Sequence, residues 1–155
     1  MSFLNDLKNA VQGAASVINS TVKKFQHRTQ FDAVIAAAVW TAAADGSIDK
    51  EEIAKLNKII AVNDSLAIFR DDIAETVAAH FDRFNIGIEI GKAAAVKAIK
   101  ASLNDGCAEE IMATVITIAK ADGIVTPSEK KVLGEIAKLL KVNLSNYYED
   151  NSLTK

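Results

Sequence analysis

Residues 42–56 read AAADGSIDKEEIAKL, and residues 119–133 read AKADGIVTPSEKKVL. A shift of 77 positions lays Ala42, Ala44, Asp45, Gly46, Glu52 and Leu56 on Ala119, Ala121, Asp122, Gly123, Glu129 and Leu133. Ile48 falls on Val125 and Ile59 on Ile136. Self-similarity at one offset points to two related units. Each unit reads as a helix, a tight acidic turn and a second helix. Gly46 and Gly123 supply the positive φ that closes a helix C-terminus. Asp49 and Thr126 are placed to cap the helix that follows, with Glu52 and Glu129 at the third helical position and Pro127 at the first.

Caps account for Glu52 and Glu129. They do not account for Asp45 and Asp122. A carboxylate at a helix C-terminus meets the negative end of the dipole, at a cost of a few tenths to about 1 kcal/mol. A bound cation or a cationic partner would offset that repulsion.

The remaining chain is helical by its periodicity. Residues 2–26 carry Phe3, Leu4, Leu7, Val11, Ile18, Val22 and Phe25 at three- and four-residue steps, with Lys8, Lys23 and Lys24 off the stripe. Such a basic amphipathic helix either packs on the domain or lies on an anionic membrane, and Gly13 lets its first turns detach. Further helices are predicted over about 29–44, 49–62, 66–83, 87–103, 107–121 and 127–141, with a short last one between 143 and 150 and a fraying tail over 151–155. Ser65 or Asp64 is the expected cap of the 66–83 helix. Phe31, Val34, Ile35, Ala38, Val39 and Ala42 form the core face of the 29–44 helix. His80 reads as a dipole partner near the end of its helix. The expected fold is all-α: a single bundle of about seven to eight helices, with residues 1–28 as an N-terminal amphipathic helix and 29–150 as the domain proper.

Composition narrows the function. The chain has 155 residues, half of them hydrophobic, a net charge of −2 and one cysteine. No net field draws it to nucleic acid. A lone Cys107 excludes a disulfide framework, and a reducing cytoplasm is expected. No stretch is apolar for long enough to span a bilayer. Phosphate-binding, dinucleotide, zinc-protease and serine-hydrolase motifs are absent, so no enzymatic activity is expected.

The acidic turns share part of the EF-hand grammar. Gly46, Ile48 and Glu52 match its positions 6, 8 and 12, but Thr41 and Ala43 stand where two ligands belong. The second turn puts Ile118 and Lys120 there. A cation would need ligands pooled from both turns, or water for most of its shell. Asp32 and Glu109 obey the same 77-residue shift. They are either ordinary acids in a first helical turn or members of a crossed cluster, with Asp32 beside Asp122 and Glu109 beside Asp45. That cluster requires the start of each repeated helix to meet the end of the other.

The segments AAADGSIDKEEI and AKADGIVTPSEK resemble the TerB family of tellurite-resistance proteins, and the similarity runs along essentially the whole chain. The resemblance implies a cytoplasmic helical bundle acting in a stress-response complex at the inner face of the membrane. It implies an integral membrane partner of the TerC type, other tellurite-resistance proteins alongside, and an acidic cluster for a divalent cation such as calcium. The family's acidic positions fall on Asp45, Glu52, Asp122 and Glu129. The competing reading is an enzyme acting on tellurium oxyanions; it needs a redox centre, and the single Cys107 is poor support for one.

Overall fold

The computed structural model describes residues 25–46, 48–121 and 123–147. Among them are six α-helices, joined and followed by short 3-10 segments, and no strand. The helices are α1 (Arg28–Ala42), α2 (Lys50–Ala61), α3 (Ile73–Ile86), α4 (Ile88–Ala101), α5 (Ala108–Ala121) and α6 (Pro127–Leu140). The expected helix over 2–26 lies outside the described residues but for its last two. The expected last helix is a single 3-10 turn, Leu144–Tyr147. A count of seven to eight helices is therefore replaced, for the described chain, by six.

α1 is the centre of the bundle. Phe31 and every residue from Ala33 to Thr41 are buried. The expected single core face understates this, because the helix is apolar all round and is covered all round, by α3, α4, α5 and α6. Its alanines make this possible, since small side chains let four neighbours approach one axis. The hydroxyl of buried Thr41 is satisfied within the helix, donating to the Ala37 carbonyl at 2.8 Å.

The two helix–turn–helix units are not placed alike. α6 packs on its own partner α5, and also on α1 and α4. α2 leans instead on α3, α5 and the 3-10 segment that follows it.

That 3-10 segment, Asp64–Asp72, corrects the expectation of an α-helix from residue 66. Asn63 caps it, its side chain accepting from Ser65 N at 2.9 Å, in place of Ser65 or Asp64. The tighter winding is held by tertiary contacts. Phe69 stacks on Phe31 with ring centroids 4.7 Å apart. Arg70 Nε donates to the Ala61 carbonyl at 2.8 Å, and Phe25 N to the Ser65 carbonyl at 2.9 Å. At the next junction the gap left between the expected 66–83 and 87–103 helices closes to one residue, Gly87, between α3 and α4.

Candidate functional site

The turns form as their residues require. Gly46 and Gly123 have φ of 96° and 126°. A Cβ at either would touch nothing, so backbone conformation rather than space selects glycine there. Asp49 accepts from Glu52 N at 2.8 Å. Thr126 and Glu129 form a complete capping box: Glu129 N donates to Thr126 Oγ1 at 3.2 Å, and Thr126 N donates to Glu129 Oε1 at 2.8 Å. Glu129 is thus half-buried and engaged as a cap. Around the first turn, Asp45, Asp49, Glu51 and Glu52 are all exposed within eight residues. Asp122 lies outside the described residues.

Asp32 and Glu109 go elsewhere. Asp32 Oδ1 accepts from His80 Nε2 at 2.7 Å. His80 is a buried residue of α3, with 3 % of its surface exposed. Arg83 Nη1 lies 3.3 Å from His80 Nδ1. A guanidinium can only donate, so Nδ1 accepts and Nε2 carries the proton given to Asp32. His80 is therefore no dipole partner at a helix end. It sits six residues before the end of α3, on the stripe of Ile73, Val77 and Phe84. That spacing was the signal in the sequence that could have placed it inside.

Beside this pair runs a polar cleft between the start of α1 and α3, lined by Arg28, Thr29, Asp72, Glu75 and Thr76 as well. Its charges are largely matched internally. Arg28 Nη2 pairs with Asp72 Oδ2 at 2.7 Å, and its guanidinium lies over the rings of Phe31 and Phe69 at 5.8 and 5.6 Å. The cleft reads as the clamp that holds residues 64–86 on α1. Asp32→Ala strands the buried Nε2–H and should cost about 1–3 kcal/mol in denaturant unfolding, while Asp32→Asn, which still offers an acceptor oxygen, should cost well under half as much. Equal costs would mean that the charge of Asp32, not its hydrogen bond, is what the fold uses.

Glu109 Oε1 accepts from Tyr147 Oη at 2.6 Å. Burial, with the Glu109 hydrogen bond and the Glu109 and Glu110 charges behind it, pushes the Tyr147 phenol far above its usual range. The phenol stays a donor at any working pH, so Glu109 anchors the chain after α6.

The contacts at the helix starts bear on the crossed arrangement. Thr29 Oγ1 donates to Asp105 Oδ2 at 2.5 Å, and Gln30 Nε2 donates to Cys107 Sγ at 3.0 Å. The start of α1 therefore meets the start of α5, where a crossed cluster needs start against end. Ala121 stands 14 residues beyond Cys107, about 20 Å further along the helix. Among the described residues no three of His, Cys, Asp and Glu come together in a group able to hold a metal ion. Nor does the first turn supply the missing EF-hand side chains, since Thr41 is buried and already bonded to Ala37 and the Ala43 side chain has no donor atom. The described carboxylates do not fit a closed, all-protein metal site.

Cys107 is half-buried. Burial pushes its thiol up, and the Glu110 and Asp105 charges add to that, against the hydrogen bond from Gln30. A thiol held protonated is a poor nucleophile.

A family model for tellurite resistance protein TerB matches residues 31–149. The chain belongs to the TerB family. Members of the TerB family are not generally characterised as enzymes. Searches among curated proteins and solved structures give no significant match. The TerB match begins at Phe31 and spans all six helices but the first turn of α1. Among the described residues no helix is long and apolar enough to cross a membrane.

Proposed function

We propose that this TerB-family chain is a non-enzymatic binding module of tellurite resistance. It works in the cytoplasm, at the inner face of the membrane, docked to an integral membrane partner of the TerC type and to other tellurite-resistance proteins. The observation that carries the reading is the first acidic turn, where Asp45, Asp49, Glu51 and Glu52 stand exposed on rigid helix ends. Rigidly presented charge of one sign gives orientation and rate to the encounter with a basic partner. The same carboxylates, with Asp122 and Glu129 at the second turn, attract a divalent cation such as calcium. With no three-ligand group among the described residues, water supplies most of the ion's shell. Few protein charges at an open site place the dissociation constant in the range of about 10⁻⁴–10⁻³ M. An enzyme acting on tellurium oxyanions would need a redox group, and the protonated thiol of Cys107 argues against that role.

Calcium titrated into isotope-labelled protein, followed by amide chemical shifts, tests the cation. Shifts should centre on Gly46 and Gly123 and saturate in the millimolar range. Asp45→Asn with Asp122→Asn should leave helicity by circular dichroism unchanged and weaken binding about tenfold. Wild-type protein that shows no shift at either turn with calcium, magnesium or zinc ends the cation reading and leaves the docking one.

A further inference from the structure

The face opposite in character to the acidic turn is shared by α4 and α6. Lys92 Nζ on α4 pairs with Glu135 Oε1 on α6 at 3.2 Å, tying the two helices side by side. The Lys92 ammonium also lies 5.9 Å from the centre of the Trp40 ring beneath it. Around this pair the surface is basic. Lys97 and Lys100 are exposed on α4. Lys131 and Lys138 are exposed on α6, four residues before and three after Glu135, and so on its side of the helix. On α4 itself Lys92, Lys97 and Lys100 line a shallow groove together with Glu89, Ala93 and Val96.

One end of this face is apolar. Ile90 is 49 % exposed and stands two turns before Lys97, on the same side of α4. Ile86 and Ile88, exposed by 71 % and 43 %, flank Gly87 at the α3–α4 junction. Three isoleucines at a helix-hairpin tip form a protruding patch rather than a pocket. Gly87 keeps α3 and α4 joined by one residue, so the tip is short and rigid.

We propose that this face is a docking surface for an anionic lipid bilayer. The isoleucines of the tip enter the interface between headgroups and acyl chains, and the lysines of α4 and α6 lie over the phosphates. Charge complementarity selects the occupant. The four lysines outside the Lys92–Glu135 pair meet one exposed acid of α4, Glu89. Lysine alone serves the face. Its ammonium is a hydrated point charge on a flexible stem, suited to a fluid surface, whereas shaped anionic groups are held by the forked guanidinium of arginine. Among the described residues no aromatic side chain is exposed there to stack a nucleic-acid base. Apolar insertion plus a basic surround is the combination that holds peripheral proteins on anionic membranes.

The inference goes with the membrane location proposed above but needs no protein partner, so the two fail separately. Protein-free vesicles of phosphatidylcholine, with or without about one-third phosphatidylglycerol, test it by co-sedimentation of the full chain. The protein should pellet with the anionic vesicles only, and raising the salt to about 0.5 M should release it. Lys97→Glu with Lys100→Glu should lower partitioning about tenfold or more, and Ile86→Ser with Ile88→Ser and Ile90→Ser should lower it as far without altering salt sensitivity. Trp40 fluorescence and circular dichroism establish that the variants are folded; if the triple variant is not, Ile90→Ser alone replaces it. Binding unchanged in both sets of variants overturns the proposal and moves lipid contact to residues 2–26. Absence of binding by the wild type overturns it too, while capture by a TerC-type protein in the same vesicles would still stand.

Discussion

Replacing Phe31 with Ala should lower stability by about 4 kcal/mol, the upper part of the range for losing a buried aromatic ring. Phe31 is wholly inaccessible to solvent on the helix that α3, α4, α5 and α6 surround. Its ring stacks on Phe69 at 4.7 Å with the planes 15° apart, which adds about 1 kcal/mol beyond burial. Arg28 covers both rings from above and is itself tied to Asp72. Losing Phe31 therefore opens a cavity and releases the 3-10 segment Asp64–Asp72 from its seat. A total stability of about 5–15 kcal/mol is usual for a domain, so about a quarter or more would vanish. The melting temperature should fall by roughly 15 °C at this chain length. Phe31→Leu keeps most of the volume and should cost about 1–1.5 kcal/mol. Chemical denaturation of the three proteins measures the difference. A cost below about 1.5 kcal/mol for the Ala variant would mean that the site collapses around the gap and that the aromatic stack anchors nothing.

The second large effect is expected at Gly91, from adding one methyl group. In an exposed helix interior, Gly→Ala gains up to about 1 kcal/mol. Here the added Cβ would stand 2.3 Å from Phe84 Cγ and 2.4 Å from its Cδ1. Those atoms belong to the root of the ring, so a change of rotamer at its far end cannot clear them. α3 and α4 would have to part, next to the one-residue junction at Gly87. Overpacking of this kind costs about 1–3 kcal/mol and here outweighs the gain in propensity. Gly91→Ala should thus destabilise by about 2 kcal/mol, with more in Gly91→Val. Phe84→Ala in the Gly91→Ala background should recover part of that loss, because it removes the obstructing ring. A neutral Gly91→Ala would show that the two helices adjust freely. It would also weaken the picture of a rigid isoleucine tip.

Much of this was legible in the residues because it is local. Helix ends followed from capping chemistry: Asp49 and Thr126 stand where the spacing to Glu52 and Glu129 placed them, and both glycines of the repeat take positive φ. Five of the six helix ranges start and end within two residues of expectation, because a period of 3.6 and a stop signal are properties of a short window. The segment 64–72 was not legible. Whether such a stretch winds as an α or a 3-10 helix is decided by Ala61 just before it and by Phe31 and Phe25, which are remote in sequence.

The candidate site divides in the same way. The sequence by itself determined that the fold is helical, that it belongs with the TerB proteins, and that two acidic turns are built on capped helices. Those depend on nearest neighbours and on a repeat visible at one offset. Only the tertiary structure decided what the carboxylates touch. Asp32 found a buried histidine on α3 and Glu109 a buried tyrosine after α6, although the 77-residue shift makes the two look equivalent. Equivalence in sequence became difference in space because α1 is enclosed by four helices while α5 shares its cover with α6. A carboxylate's partner is set by which helix lies within about 3 Å of its oxygens, and that distance is fixed by packing across the whole bundle.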